Sequence, residues 1–339
     1  MLLIMTSKER VRLTIERKST DRTPYSFDFT SAISSRLAVH YNIKPQKLHD
    51  FIGDDLYYIG AGIVINQTES SIVTEFGVRW DTSQNNSIGD WGSILEYPLK
   101  EATLDNYSFP DGGDERRFSE LDSAALKTND RFVLLHMAGL FDLCWHLRGF
   151  ENFIADMISE QDFAEKLLDR ALRFSLEFVE AIPDGVDGVR IGEDWGMQKG
   201  LITGAFTWRK LLKPRLRVLY NAVRARNLKL FIHSCGDIEE LFPDLIEMGV
   251  DVVHPVQPEV MNLTDLHNRY GGDIIMYGGI GTQSTLIYGT PDDVITEAKS
   301  NLKLFNNGGY ILGPAGAIST DAKIENVIAL TDFVMSLQR

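Results

Sequence analysis

The sequence predicts an α/β chain folded as a single (β/α)8 TIM barrel, with an inserted β-hairpin region between the second and third strands. Three observations predict it. Eight short apolar runs recur along the 339 residues, each bounded by turn signals. From the third run on, amphipathic helical patterns lie between most of them, and strand–helix–strand repetition reads as parallel βα units. The runs are apolar throughout rather than alternating, as strands covered on both faces are. No GxGxxG follows the first run to favour a doubly wound open sheet, and no linker or low-complexity stretch divides the chain. One domain is therefore expected over 1–339.

The opening TSKERVRLTIERK reads as a helix capped by Thr6 or Ser7. The strand candidates follow in order: Tyr25–Phe29, Leu56–Gly60, Phe132–Met137, Gly188–Gly192, Lys229–His233, Val250–His254, Ile274–Gly278 and Gly309–Leu312. Residues 63–99 break the pattern. INQTESSIVTEFGVRWDTSQN alternates, is rich in Trp, Thr and Val, and carries turn residues, so it reads as one or two inserted hairpins. Helical patterns occupy the later gaps, for example TWRKLLKPRLRVLYNAVRARN and DIEELFPDLIEMG.

Composition excludes several classes. Apolar residues make up 44% and charged residues 24%, so wholesale disorder is ruled out. A net charge of −14 argues against a general nucleic-acid or anionic-membrane surface. No run approaches the length of a membrane span, and MLLIM is too short for a signal h-region. Two cysteines cannot form a disulfide framework, which fits a reducing cytosol and a cytoplasmic protein.

A barrel carries its chemistry at the C-terminal strand ends. His233 and Cys235 stand two apart after the fifth run, so an extended backbone aims imidazole and thiol at one point. The pair is half of a zinc site, which needs at least three protein ligands. Otherwise His233 is a hydrogen-bonded barrel residue and Cys235 packs at a turn. Glu193 and Asp194 follow the fourth run. One carboxylate points into the mouth and the other toward a helix start, for metal ligation, acid–base work or backbone capping. Asp28, His254 and Gln257 lie at other strand ends as substrate-binding candidates, with Gly281 and Gly316 in glycine turns of the same face. Cys144 reads as a packed thiol and His136 as an interior histidine.

The segment IGEDWGMQKGLITGAFTWRKLLKPRLRVLYNAVRARNLKLFIHSCGDIEELFPDLIEMGVDVVHPVQP resembles the core of the uroporphyrinogen decarboxylase superfamily. The segments GGIGTQSTLIYGTPDDVITEAK and GGYILGPAGAIS continue the resemblance over nearly the whole chain. It implies the same barrel and one of two chemistries. One branch decarboxylates uroporphyrinogen without a cofactor. The other, of cobalamin-dependent methyltransferases, carries H-x-C-G after strand five, as His233-Ser234-Cys235-Gly236 does. The decarboxylase pattern is poorly met: its arginine-rich N-terminal segment is replaced by DFTSAISSR, and its F-S-D aspartate falls in YYIGAG. The methyltransferase branch's third zinc ligand falls at Gly316, and the aspartate of its GGID-T-Q motif at Gly281.

The resemblance therefore implies a methyltransferase taking methyl from a methylcorrinoid to a thiol or similar acceptor. His233, Cys235 and Glu193 would hold zinc; His233, Glu193 and Asp194 would be catalytic. The corrinoid would arrive on a partner protein docked at the C-terminal face, and a homodimer is the family-level expectation. The alternatives are a porphyrinogen decarboxylase and a degenerate barrel that binds a tetrapyrrole without catalysis.

Overall fold

A computed structural model describes residues 5–83 and 92–338. Residues 1–4 of the MLLIM opening and 84–91 of the 63–99 region lie outside the described residues. Seven parallel strands form one curled sheet: β1 (Leu56–Gly60), β2 (Phe132–Ala138), β3 (Gly188–Gly192), β4 (Lys229–His233), β5 (Val252–Val256), β6 (Ile275–Ile280) and β7 (Tyr310–Pro314), hydrogen-bonded in that order. Every residue of β3, β5, β6 and β7 is buried. That follows from helices covering one face while the curled sheet encloses the other.

The expected strand at Tyr25–Phe29 is not a strand. It is an extended segment with two isolated parallel bridges, Tyr25 to Leu312 and Phe29 to Ile318. The reason lies in its donors. The Tyr25 and Phe27 N–H groups go to the carboxylates of Asp55 (2.8 Å) and Asp54 (3.1 Å), not to strand carbonyls. The segment still touches both ends of the sheet, since Ser26 N–H donates to Leu312 O and Asp55 N–H to Tyr25 O. The runs read as Val250–His254, Ile274–Gly278 and Gly309–Leu312 form strands one or two residues further on.

Between β1 and β2 the chain passes through a four-stranded antiparallel sheet, Val64–Gln67, Ser71–Thr74, Arg79–Asp81 and Ile94–Glu96. The first helix, Ser7–Ile15, opens with a capping box between Thr6 and Glu9. Its Val11 and Ile15 enter the inner apolar cluster with Leu56, Phe132, Leu134, Phe231, Val252, Ile275 and Ile311. Inward positions recur every second residue, and toward the C-terminal ends they change character. Leu134 gives way to His136, Phe231 to His233, Val252 to His254 and Ile275 to Tyr277, so apolar filling ends where a polar mouth begins. No helix among the described residues is long and apolar enough to cross a membrane.

Asp55 ties the N-terminal segment to β1. Fully buried, it takes Arg10 Nη1 and Arg22 Nη1, each at 2.6 Å, as well as the Tyr25 N–H. Asp55→Ala leaves the buried Tyr25 N–H unpaired and strips Arg10 Nη1 and Arg22 of their shared carboxylate, while Asp21 still holds Arg10, so it should cost at least about 1–3 kcal/mol. Urea denaturation of the variant measures that loss.

Candidate functional site

The exits of β3 and β4 build the centre of the mouth. β4 ends at His233, and Cys235 follows on the same side; Asp194 arrives from β3. One donor atom from each of Asp194, His233 and Cys235 lies within 4.8 Å of the others. His233 Nε2 stands 3.7 Å from Cys235 Sγ and 3.7 Å from Asp194 Oδ1. The loops are held there by backbone donors. Cys235 N–H donates to Asp194 Oδ1 (2.9 Å), Asp194 N–H to Asp142 Oδ1 (3.0 Å) and Trp195 N–H to Ser234 Oγ (3.0 Å). Gly236 N–H donates to Gln257 Oε1. Gly236 adopts φ +80°, and a Cβ there would lie 2.3 Å from the Gly196 carbonyl carbon. The turn after Cys235 therefore demands glycine.

Glu193 does not join this cluster, which corrects its assignment as a metal ligand. Its Oε1 takes the Leu140 N–H (2.6 Å) and its Oε2 the Phe141 N–H (2.9 Å), so the side chain caps helix Leu140–Arg148. Adjacent residues face opposite ways, and it is Asp194 that faces the mouth. Gly316 offers no side-chain donor, and a Cβ there would meet no heavy atom within 4 Å. A Cβ on Gly281 would meet Ser284 Oγ at 2.2 Å.

Behind the cluster lies Arg190, which the sequence reading passed over inside the run GVRIG. Its Nη2 donates to His233 Nδ1 (2.7 Å), its Nη1 lies 3.6 Å from Asp28 Oδ2, and its guanidinium carbon stands 5.3 Å from the Tyr58 ring centroid. A charged residue in a wholly buried strand was the available signal. His254 Nδ1 is 2.8 Å from His233 Nδ1, and its ring packs against Tyr277 with centroids 4.2 Å apart. Among the described residues, the buried Arg190 Nε and His254 Nε2 have no hydrogen-bond partner. Asp28 and Gln257 thus reach the site through Arg190 and Gly236, and His254 through His233.

Electrostatics follows from burial around one fixed cation. Desolvation, then the Arg190 charge, holds His233 and His254 well below the usual imidazole range. The same causes push His136 down to about 3. On the acidic side, burial and then the Asp194 charge push Asp142 up to about 8. Burial raises Asp194, and burial with the Asp194 charge raises the Cys235 thiol. Neutral His233 accepts from Arg190 at Nδ1, so its own hydrogen sits on Nε2, toward Cys235 and Asp194. Cys144 is buried in the core, as the sequence indicates.

A model of the family uroporphyrinogen decarboxylase (URO-D) matches residues 96–337. A uroporphyrinogen decarboxylase of Chlorobaculum tepidum is 24% identical over 260 residues, 72% of either chain. Among solved structures, a methyltransferase from Methanosarcina mazei covers 98% of both chains with a TM-score of 0.73 and 18% identity, which is a likeness of fold.

The cap made by Glu193 is testable. Glu193→Ala leaves two buried N–H donors unpaired, at about 1–3 kcal/mol each. Thermal unfolding should show that loss. Gly139→Ala should destabilise through the same contact, because its Cβ would fall 2.1 Å from Glu193 Cδ.

Proposed function

The chain belongs to the uroporphyrinogen decarboxylase family, and on that premise we propose that it is a methyltransferase moving a methyl group from a methylcorrinoid to a thiol or similar acceptor. The observation that carries this reading is the convergence of Asp194, His233 and Cys235 at the C-terminal strand ends. The fold's likeness to a methyltransferase supports it.

The donor set fits zinc. Oxygen, nitrogen and sulfur separated by 3.7 Å steps match the spread of ligands around a tetrahedral ion with bonds of about 2.0–2.3 Å. What zinc supplies when bound is a thiolate form of the acceptor near neutral pH. The residues do the rest. Ligation through His233 Nε2 requires its hydrogen on Nδ1, facing His254 Nδ1, and so gives up the hydrogen bond from Arg190 Nη2. Asp28, 3.6 Å away, is then the anion nearest to Arg190 Nη1. Gln257 fixes the loop at Gly236, and Asp142 fixes the backbone of Asp194. The acceptor's thiol proton is released to solvent water before transfer. Transfer of the methyl group to that sulfur would leave the bonding electrons with the donor corrinoid, which a partner protein would carry to this face.

A second reading, decarboxylation of a porphyrinogen, is favoured by one observation. The buried Arg190 keeps an unpartnered Nε that a substrate carboxylate would satisfy.

Zinc analysis with activity assays decides between them. Protein kept from chelators should carry about one zinc per chain. Cys235→Ser and Asp194→Ala should lose most of it while remaining folded by circular dichroism. Thiol-dependent demethylation of a methylcorrinoid should fall with the metal. A metal-free wild-type protein, or release of carbon dioxide from a porphyrinogen, would sink the methyl-transfer reading.

A further inference from the structure

A cavity of about 640 Å³ lies between the C-terminal ends of β1 and β2 and the antiparallel sheet. Ligand pockets have this size and are mostly apolar, with a few placed polar groups. Phe76, Val78 and Trp80 line it from the antiparallel sheet and its turns, and Phe174 and Phe178 from helix Gln161–Ala181. His136 stands on the strand next to Arg190, which itself contacts His233. It lines the cavity, pairs in register with Arg190, and sits 3.1 Å from where a Cβ on Gly192 would be.

The cavity's charges are already spent. Arg117 is its cation, and all five of its N–H groups are committed. Nε donates to Gly112 O, Nη1 to Ala61 O and Glu75 Oε1, and Nη2 to Glu75 Oε2 and Asp111 O. The two carboxylate bonds are each 2.6 Å, so Glu75 cancels the charge inside the wall. The guanidinium also lies 5.1 and 5.2 Å from the Phe174 and Phe178 ring centroids. The remaining polar groups include two imidazoles, His136 and His146, and His146 stands edge-on to Trp80 (5.0 Å) and Trp145 (4.0 Å). The His136 ring is exposed to the cavity, and desolvation by the surrounding protein with the Arg190 charge pushes it down to about 3; desolvation pushes His146 down to about 4.

We propose that this cavity binds the acceptor, and that the acceptor is an uncharged, ring-bearing molecule rather than an anionic one. The assignment rests on the methyl-transfer reading for the word acceptor; the ligand class rests on the cavity alone. An anion would enter a space whose one cation has no free donor, at the desolvation cost of an unpaired charge. An aromatic ring would meet the faces and edges of four aromatic side chains.

Calorimetric titration of the zinc-loaded protein tests this with two probes, phenylmethanethiol and 2-mercaptoethanesulfonate. A Cβ on Gly60 or Gly62 would meet no heavy atom within 4 Å, so Gly60→Phe and Gly62→Phe fill the cavity without a backbone clash. The aromatic thiol should bind saturably. Either variant should weaken it roughly tenfold or more at unchanged melting temperature and zinc content. The sulfonate should bind far more weakly than the aromatic thiol. Benzyl alcohol, which keeps the ring and lacks the thiol, should also bind and respond to the variants, even if no methyl transfer is found. Tighter binding of the sulfonate, or aromatic binding insensitive to both variants, would overturn the assignment and leave the methyl-transfer reading standing.

Discussion

A guanidinium that cannot lose its proton sits within the curled sheet at Arg190, and the mouth is organised around it. It contacts His233 directly, lies near Asp28 and faces the Tyr58 ring. Its field, added to burial, keeps three imidazoles neutral, so they can accept hydrogen bonds or ligate instead of adding charge. It also chooses which nitrogen of His233 faces the cluster with a hydrogen. The facing side carries the acidic groups, Asp194 and Asp142; desolvation raises both proton affinities, and the Arg190 charge offsets part of the rise at Asp194. The mouth is thus a fixed positive charge on one wall and a tunable acidic set on the other.

That arrangement is a product of strand parity. Each strand turns every second side chain inward, and the inward series runs from leucine, phenylalanine and valine to histidine, arginine and tyrosine within a few residues. The lower positions are sealed by Val11 and Ile15 from the first helix. The upper positions carry His136, His233 and His254 instead of apolar side chains. Beyond the last hydrogen-bonded residue, parity persists for one or two positions, which is why Cys235 follows His233 to the same side and Glu193 and Asp194 part company.

Much of this was legible in the sequence. Unbroken apolar runs gave β1, β3 and β4 to the residue, because both faces of these strands are covered. The His233–Cys235 pair follows from spacing alone. Tyr25–Phe29 looked like a strand because its composition is that of one; what its donors find is two aspartate side chains, 27 and 30 residues further on and just before β1, which no local pattern shows. The choice between Glu193 and Asp194 was equally hidden, since it depends on where helix Leu140–Arg148 begins in space. Arg190 was masked by the apolar neighbours that made its run readable as a strand. Asp142 was masked by its place in the first turn of a helix, where an acidic residue needs no further reason.

The two walls of the mouth have different origins in the chain. The reactive groups come from the exits of β3, β4 and β5, separated by whole helices. The sheet side of the adjoining cavity comes from one contiguous stretch that leaves β1 and returns before β2. Such a wall is a cassette. It can be exchanged, lengthened or reshaped in one piece while the strand ends that hold Asp194, His233 and Cys235 keep their register, so ligand choice and chemistry in this scaffold are separately inheritable.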